Sequence, residues 1–463
     1  MSTPVTTATT RPANGSELEL TVDTLAHGGN GVARLDGYVV FVSGALPGDR
    51  VRAVVTKSKR QYAEARALEV LEPSPDRIEP VADHPGAPWQ VLRYERQLEI
   101  KQQQVGDALS RIGHLADFEL EPIVPAVQEW RYRNKFEYSF GTNEAGELVC
   151  GFHAPGSYDR IEAVSDSKLA SERSNAVREQ VVAWCREQKL TAWDRRSQLG
   201  LLRNLVIREG RRTNQLQVRL VTSNGEIDTE SFAAAVDCDG LFWTQITQVG
   251  ETTQGGVTER VKGAKKLEEE LGDLRFRVSP EAFFQTNTEM AERLYGIAVE
   301  YAQLRGHERV FDLFCGIGTI ALTMAARARE VVGVEIVEGA VADAIENARA
   351  NEIANARFYA GDVRLAMRDL VAEAGRPDVC VVDPPRSGLS QKVVRRIIEA
   401  GPQRVVYVSC NPTTLAPNAA QMVEAGYRLV KVRPVDMFPQ TPHIECVALL
   451  EKVAPVAAEP DAE

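Results

Sequence analysis

Short alternating apolar stretches open the chain between about residues 17 and 72. Valine, leucine and alanine recur at every second position there, and glycines and a Pro47-Gly48 pair interrupt them. Because successive side chains of a strand point to opposite faces, this alternation predicts strands with one buried face. The turn residues between them predict hairpins. We therefore predict a small β-barrel of the oligonucleotide-binding kind over residues 16–75.

The middle of the chain mixes helical and strand patterns. Prolines at positions 73, 75, 80, 85 and 88 predict a linker, and residues 91–112 then show helical spacing. From about residue 116 to residue 278, apparent strands alternate with one long helix near 171–188. We assign residues 76–289 to a linker, a helix and a central α+β domain.

Strands and helices alternate regularly from about residue 290 to residue 452. Apolar strands are expected near 310–314, 331–336, 379–382 and 405–408, with helical segments between them. This order predicts a doubly wound parallel sheet, a Rossmann-like α/β domain. The two ends, 1–15 and 453–463, are rich in small residues and proline and are expected to be disordered tails.

Composition and charge restrict the function classes. Of 463 residues, 44% are hydrophobic and 26% are charged, which is ordinary for a folded multidomain protein. We see no signal peptide and no apolar run of membrane-spanning length, so a cytoplasmic protein without membrane contact is expected. The net charge of −11 means that any nucleic-acid contact must use local basic patches. The seven cysteines show no Cys-x-x-Cys spacing, which predicts free thiols and no metal site.

Two basic regions are candidates for RNA contact. The predicted barrel concentrates positive charge at Lys57, Lys59, Arg60 and Arg66. In the central domain Tyr132 and Phe136 are interleaved with cations, a pattern that suits stacking on bases. The alternative for the first region is a generic barrel of unknown use, and the alternative for the second is a solvated charged face.

A strand followed by a glycine turn predicts a nucleotide-like ligand. Residues 310–314 lead into Gly316-Ile317-Gly318, where a backbone without Cβ atoms can approach a ligand. The next strand ends at Glu335, whose carboxylate at the strand tip can accept both hydroxyls of a ribose. Ala321 stands where a dinucleotide site would have a third glycine, which disfavours NAD without excluding it.

Two further acids follow later strands of the same predicted sheet. Asp362 is suited to an adenine edge, and Asp383 comes directly after an apolar strand and before two prolines. Asp-Pro-Pro in this place is typical of class I methyltransferases. The combination favours S-adenosylmethionine over NAD.

A thiol and a carboxyl are the candidate catalytic groups. Cys410 ends a strand and precedes Asn411-Pro412, so its sulfur is expected beside the cofactor. Thiolate addition to C6 of uracil would make C5 nucleophilic, and a base must later remove the C5 proton. Glu445, at the start of the last strand, is our candidate base. The alternatives are a buried structural cysteine, as we expect for Cys315, and a surface-capping acid.

Five motifs together resemble the RNA uracil-5-methyltransferase family, in which a TRAM barrel precedes a central RNA-binding domain and a class I methyltransferase domain. The likeness spans roughly residues 17–452. It implies S-adenosylmethionine as cofactor, ribosomal or transfer RNA as partner, Cys410 as nucleophile and Glu445 as base. It also implies cofactor contacts at Gln285, Phe314, Glu335 and Asp383, and at the more variable Asp362. The motifs are Phe283-Phe284-Gln285-Thr286-Asn287, Leu313-Phe314-Cys315-Gly316-Ile317-Gly318-Thr319, Asp383-Pro384-Pro385-Arg386-Ser387-Gly388-Leu389, Ser409-Cys410-Asn411-Pro412 and His443-Ile444-Glu445.

The chain departs from the family pattern at one place. Many members bind an iron–sulfur cluster through a Cys-Gly-Gly-Cys run and one further cysteine. Residues 83–90 read Asp-His-Pro-Gly-Ala-Pro-Trp-Gln here, and Ser167 stands where the further cysteine is expected. We therefore expect no cluster, since four thiolates cannot be assembled.

Several alternatives stay open from the sequence. A 5-methylcytidine enzyme would resemble a pattern with cysteine after Asp-Pro-Pro, and an amino-group methyltransferase one with an aromatic residue there, whereas Arg386 follows here. A non-catalytic RNA-binding protein and a small-molecule methyltransferase are the other candidates. The motifs do not separate transfer-RNA from ribosomal-RNA enzymes. No obligate protein partner is indicated, and a monomer is expected.

Overall fold

A computed structural model of the chain describes residues 11–82, 84–154, 156–157, 159–250 and 252–453. Most of the two expected tails, 1–10 and 454–463, lies outside these residues. Residues 11–15 are described, and there Gly15 donates its backbone N–H to the Val55 carbonyl at 2.8 Å.

The N-terminal unit is a closed five-stranded barrel, as predicted. Its strands are hydrogen-bonded in the order β1-β2-β3-β5-β4. Every second side chain faces inward, as at Val40 and Val42, which are completely buried. Strand alternation therefore builds the barrel core. The strands are β1 (Glu17–Leu25), β2 (Gly31–Leu35), β3 (Tyr38–Ser43), β4 (Arg50–Ser58) and β5 (Tyr62–Glu72).

A long helix links the barrel to the rest of the molecule. Helix α1 (Tyr94–Asp107) continues as a π-helical turn over Ala108–Ile112, which confirms the predicted helix over 91–112. The side-chain amide of Gln104 donates to the carbonyls of Leu25 and Ala26, at 2.9 and 3.1 Å. The barrel is thus anchored on this helix.

The central domain is a seven-stranded sheet covered by helices, with a separate hairpin. Ser171 caps the long helix by accepting a hydrogen bond from Ser174 N, which confirms the helix predicted near 171–188. The sheet order is β13-β12-β11-β10-β7-β8-β9, and β14 pairs with β15. The elements are β7 (Lys135–Thr142), β8 (Leu148–His153), β9 (Ile161–Ala163), α2 (Glu172–Glu187), β10 (Leu202–Gly210), β11 (Gln215–Thr222), α3 (Thr229–Ala235), β12 (Gly240–Gln245), β13 (Val257–Gly263), β14 (Leu267–Leu271) and β15 (Leu274–Val278).

The structure overturns one expectation about this domain. Tyr132 and Phe136 are only 1% and 3% exposed, so they cannot stack on RNA bases. Tyr132 instead donates its hydroxyl to the Pro439 carbonyl at 3.0 Å, and Phe136 stacks on Tyr138. Burying these aromatic rings contributes more free energy than exposing them among the cations would.

The C-terminal domain is the predicted doubly wound sheet. Eight strands lie in the order β18-β17-β16-β19-β20-β22-β21-β6, and the first five run parallel. All four predicted strands are confirmed, and apolar clusters cover both faces. The elements are β6 (Glu119–Leu120), α4 (Thr288–Ala302), β16 (Arg309–Leu313), α5 (Thr319–Ala325), β17 (Glu330–Glu335), α6 (Glu338–Ala350), β18 (Ala356–Ala360), α7 (Val363–Ala374), β19 (Val379–Val382), α8 (Gln391–Ala400), β20 (Arg404–Ser409), α9 (Pro412–Glu424), β21 (Tyr427–Val435) and β22 (Glu445–Lys452).

Two negative findings concern membranes and disulfides. Among the described residues, no helix has both the length and the apolar character needed to cross a bilayer. All seven cysteines lie in the described part of the chain and are free thiols, as predicted.

Candidate active site

The carboxyl edge of the C-terminal sheet brings the predicted site residues together. Glu335 ends β17, and Asp383 and Cys410 directly follow β19 and β20. Strand β22 runs antiparallel to β20, with Cys446 opposite Ser409, so its first residue, Glu445, lies at the same edge. Open α/β sheets bind ligands at this edge.

The turn after β16 forms a glycine-lined cradle. Gly316 and Gly318 have φ values of +53° and +86°, which favour glycine. A Cβ atom on Gly318 would lie 3.1 Å from the Phe358 ring. Phe314 also has a positive φ, +71°, and its N–H donates to the Val334 carbonyl at 2.9 Å. The turn is therefore held against β17.

Glu335 joins this turn to the next strand end. Its two carboxylate oxygens accept hydrogen bonds from Gly316 N at 3.2 Å and Val337 N at 3.0 Å. A cavity of about 390 Å³ opens beside it and is also lined by Glu281 and Phe283. The cavity thus lies between the sheet edge and the loop that follows β15.

Asp312 is a site residue that the sequence analysis missed. Its side chain is fully buried in β16, and within the described residues neither carboxylate oxygen makes a hydrogen bond of ordinary geometry. Burial raises its pKa to about 8, the nearby Asp383 charge adds to this effect, and the Ala321 N–H partly offsets it. Burial likewise raises the pKa of Asp383 to about 7. An acid inside an otherwise apolar strand was the signal that could have identified Asp312.

Glu445 lies close enough to Cys410 for its charge to affect the ionisation of the thiol. Burial raises the pKa of the Cys410 thiol to about 12, with the charges of Glu445 and Asp383 adding to it. Burial, followed by the Asp383 charge, also raises the pKa of Glu445, which is 3% exposed. Arg386 lowers the pKa of both groups. The Cys410 thiol therefore carries its proton near neutral pH in the absence of a ligand, and ionisation of Glu445 is disfavoured.

Arg386 and His443 form a pair beside these groups. Arg386 Nη2 lies 2.6 Å from His443 Nδ1. The Asn411 amide donates to the Arg386 carbonyl at 3.1 Å, while its oxygen caps α9. Both Arg386 and His443 belong to motifs noted in the sequence, but no pattern there indicated that they meet.

Gln285 lies in a loop that the central domain holds. It is 5% exposed and does not cap α4, because Asn287 does so. The Asn134 amide donates to the Gln285 carbonyl at 3.0 Å, and Arg208 donates to the Ala282 carbonyl at 2.6 Å. These contacts place the loop, with the 65% exposed Phe283, beside the glycine cradle.

Asp362 lies at the same edge, but its carboxylate already binds Arg364. It caps α7 by accepting a hydrogen bond from Arg364 N at 2.9 Å and also forms an ion pair with the Arg364 side chain. Hydrogen bonding to that side chain lowers its pKa. The neighbouring Gly361 N–H donates to the Glu335 carbonyl at 2.8 Å, so Asp362 is adjacent to the Glu335 strand end.

A hydrogen-bonded histidine lies in the region where other family members have their cluster-binding cysteines. His84 Nε2 lies 2.7 Å from the Ser167 hydroxyl, and Gly86 N donates to His84 Nδ1 at 3.0 Å. Among the residues the structure describes, no three His, Cys, Asp or Glu side chains could hold a metal ion. The expected absence of an iron–sulfur cluster stays a prediction.

Comparisons with known proteins agree with this architecture. A family model described as tRNA (uracil-5-)-methyltransferase matches residues 257–453, and a TRAM-domain model matches residues 12–68. The chain is 39% identical to an uncharacterised RNA methyltransferase of Halalkalibacterium halodurans, over 95% of this chain and 98% of that one. It is 38% identical to another from Bacteroides thetaiotaomicron, over 92% of this chain and 100% of that one.

One solved structure resembles almost the whole chain. It is the Pyrococcus abyssi tRNA (uracil-54, C5)-methyltransferase in complex with S-adenosyl-L-homocysteine. The TM-score is 0.78 at 28% identity, and the match covers 93% of this chain and 99% of that one.

Proposed function

The chain belongs to the RNA uracil-5-methyltransferase family, and we propose that it methylates C5 of a uridine in transfer or ribosomal RNA, with S-adenosylmethionine as donor. The main support is the position of Cys410 and Glu445 at the edge that also carries Glu335 and Asp383. A nucleophile and a base are the two groups that C5 methylation requires.

The edge fits a positively charged nucleotide-like ligand. When bound, S-adenosylmethionine supplies a methyl group carried on a cationic sulfur. Asp312 and Asp383 line one small cavity with Phe314, and a cation there would compensate the cost of ionising both carboxyls. We assign Glu335 to the ribose hydroxyls and Asp362 to the adenine edge. Gln285, Phe314 and Asp383 are assigned to the remaining cofactor contacts.

Cys410 is the proposed nucleophile. Its thiolate adds to C6 of the uracil, and the C5=C6 electron pair makes C5 nucleophilic. C5 would then displace sulfur from the methyl carbon, and the electron pair of the broken carbon–sulfur bond would leave with S-adenosylhomocysteine. Since burial holds the thiol protonated in the free protein, ionisation must accompany substrate binding, and the charge of Arg386 favours it.

Glu445 is the proposed base. After methyl transfer C5 carries both a proton and the methyl group, and a Glu445 oxygen removes that proton. The electron pair of the C–H bond reforms C5=C6 and expels Cys410 as thiolate. A carboxyl with a raised pKa is a stronger base once ionised, which suits removal of a carbon-bound proton.

The target base must leave its stack to reach this edge. Unstacking costs about a few kcal/mol, so the RNA has to be held by other contacts. The TRAM barrel and the central domain are the parts of the chain that we assign to this task.

Methyl transfer from labelled S-adenosylmethionine tests the proposal. Unmodified transfer and ribosomal RNA are incubated with wild type or Cys410→Ala, and the products are digested to nucleosides. We expect label in 5-methyluridine with wild type and none with the variant. Label in 5-methylcytidine would refute the uridine assignment, and undiminished label with Cys410→Ala would refute the nucleophile.

A further inference from the structure

Three separate parts of the chain lie together near Arg386, whose charge acts on the Cys410 thiol. The barrel loop between β1 and β2 meets the loop between β21 and β22, since a Cβ on Gly29 would lie 3.1 Å from the Pro442 Cβ. His27 lies two residues before this contact, and His443 directly follows Pro442. The loop after β19 contributes Arg386. The barrel loop therefore lies beside the loop that carries His443, the partner of Arg386.

The Arg386–His443 contact fixes which ring nitrogen carries a proton. A guanidinium can only donate, so His443 Nδ1, at 2.6 Å from Arg386 Nη2, must accept. The neutral ring then carries its proton on Nε2. Arg386 itself is exposed, and no carboxylate of the described residues forms an ion pair with it. The remaining N–H groups of exposed Arg386 can donate to a ligand, and the half-buried His443 carries its Nε2–H beside them.

The charge of Arg386 acts on both histidines, although the whole chain is acidic. Burial lowers the pKa of His443 to about 4, and the charges of Arg386, Lys101, Arg133 and His27 act in the same direction. Desolvation and then Arg386 also lower the pKa of His27, whose ring remains exposed. Arg386 is therefore the exposed cation of this group, with the two histidines as neutral donors beside it, and an anion would be attracted to it.

We propose that His27, Arg386 and His443 bind a phosphodiester group of the RNA beside the target nucleotide. Guanidinium and imidazole N–H groups are suited to phosphate oxygens. In a protein of net charge −11, RNA has to be attracted by local patches of this kind. The site extends the proposed function, because the phosphate is located relative to the base at Cys410. It also gives the barrel a specific role in presenting the substrate.

Salt-dependent RNA binding tests the site. Dissociation constants of the full chain for unmodified transfer-RNA transcripts and ribosomal-RNA fragments are measured over a series of KCl concentrations. Arg386→Ala should weaken binding by about tenfold and reduce the slope of log affinity against log salt by roughly 0.7, the value for one phosphate contact on a single strand. His27→Ala should weaken binding without changing the slope, because it removes a neutral donor.

Matched variants separate this effect from a general loss of charge or fold. Arg329→Ala and His307→Ala change exposed residues at the opposite edge of the C-terminal sheet, before β17 and β16, and should leave binding unchanged. Arg386→Lys should keep the slope and lose part of the affinity. An unchanged slope in Arg386→Ala, or an equal loss in Arg329→Ala, would overturn the proposal.

The binding measurement is independent of the reaction. A chain that forms no 5-methyluridine but shows this pattern of binding would refute the proposed function and leave the phosphate site intact. A chain that forms 5-methyluridine while all variants bind equally would refute the phosphate site alone.

Discussion

Glu445 shares its surroundings with Cys410, and this closeness gives the proposed base a distinct mutant phenotype. Glutamine at position 445 cannot accept the C5 proton, so the Cys410–C6 bond cannot be broken after methyl transfer. We expect Glu445→Gln to accumulate a covalent complex of protein and methylated RNA. Denaturing gels with radiolabelled RNA would detect it.

Two further variants test whether the covalent complex depends on the Cys410 sulfur and on the loss of the Glu445 carboxylate. Cys410→Ala/Glu445→Gln should form none, because the linking sulfur is missing. Glu451→Gln, at the other end of the same strand β22, should turn over normally. Repeated turnover by Glu445→Gln without a trapped complex would show that another group removes the proton.

Asp312 gives a prediction for the pH dependence of folding. Its pKa is raised from 3.8 to about 8, so over this window the folded chain holds a proton that the unfolded chain releases. Stability therefore falls as pH rises through the window. Asp312→Asn has no such proton. Between about pH 5 and about pH 8, the free energy of unfolding of wild type should fall by on the order of 1–3 kcal/mol more than that of this variant.

Urea unfolding at the two pH values measures that difference. Asp369→Asn, an exposed aspartate on α7, is the control and should follow wild type. Equal pH dependence in wild type and Asp312→Asn would mean that Asp312 is ionised in the folded protein.

At the scale of elements, one loop connects Glu445 to helix α1 and the central domain. Residues 436–443 contact helix α1 through a fully buried ion pair between Lys101 and Asp436, at 2.6 Å. Gln97 and Gln440 exchange hydrogen bonds of 2.8 and 3.0 Å. The central domain adds the bond from Tyr132 to Pro439. This loop leads directly to His443 and Glu445, so its position affects the site.

Removing one partner of the buried pair should be costly. Lys101→Met leaves Asp436 uncompensated and should destabilise the chain by about 3–5 kcal/mol, whereas adding Asp436→Asn should recover much of this loss. Urea unfolding is the measurement. Arg111→Met, which breaks the exposed Arg111–Asp107 pair, should cost less than about 1 kcal/mol. Equal effects of Lys101→Met and Arg111→Met would show that the buried pair does not hold the loop.

The elements were predictable where the pattern is local. Hydrophobic runs located β16, β17, β19 and β20, and the residues at their ends, such as Glu335 and Cys410, followed from sheet geometry. Gln285 came only from its motif, because its loop is held by Asn134 and Arg208 of another domain. Tyr132 was misinterpreted because alternating charges resemble an exposed strand. The Gly29–Pro442 contact joins positions far apart in sequence, and no local pattern encodes it.

At the scale of the whole molecule, the barrel has its own core and a separate apolar contact with the rest. The barrel core comprises Val40, Val42 and other buried residues. A second cluster joins Leu25 and Leu46 of the barrel to Trp89, Leu92 and Ile100. We therefore expect that the barrel can loosen from the molecule without unfolding. If it presents the RNA, loosening it should impair turnover and spare the cofactor site.

Leu46→Ala tests this separation. Truncating this 5% exposed side chain should weaken barrel docking by about 2–5 kcal/mol. We expect faster limited proteolysis between barrel and helix α1, a lower kcat/KM for RNA, and unchanged affinity for S-adenosylhomocysteine, because Glu335 and the glycine turn lie in another domain. Leu68→Ala, the same change at an exposed barrel position, should behave as wild type. If proteolysis shows a loosened barrel in Leu46→Ala but RNA turnover stays normal, the methyltransferase and central domains recognise the substrate without the barrel. The role proposed for His27 would then be wrong as well.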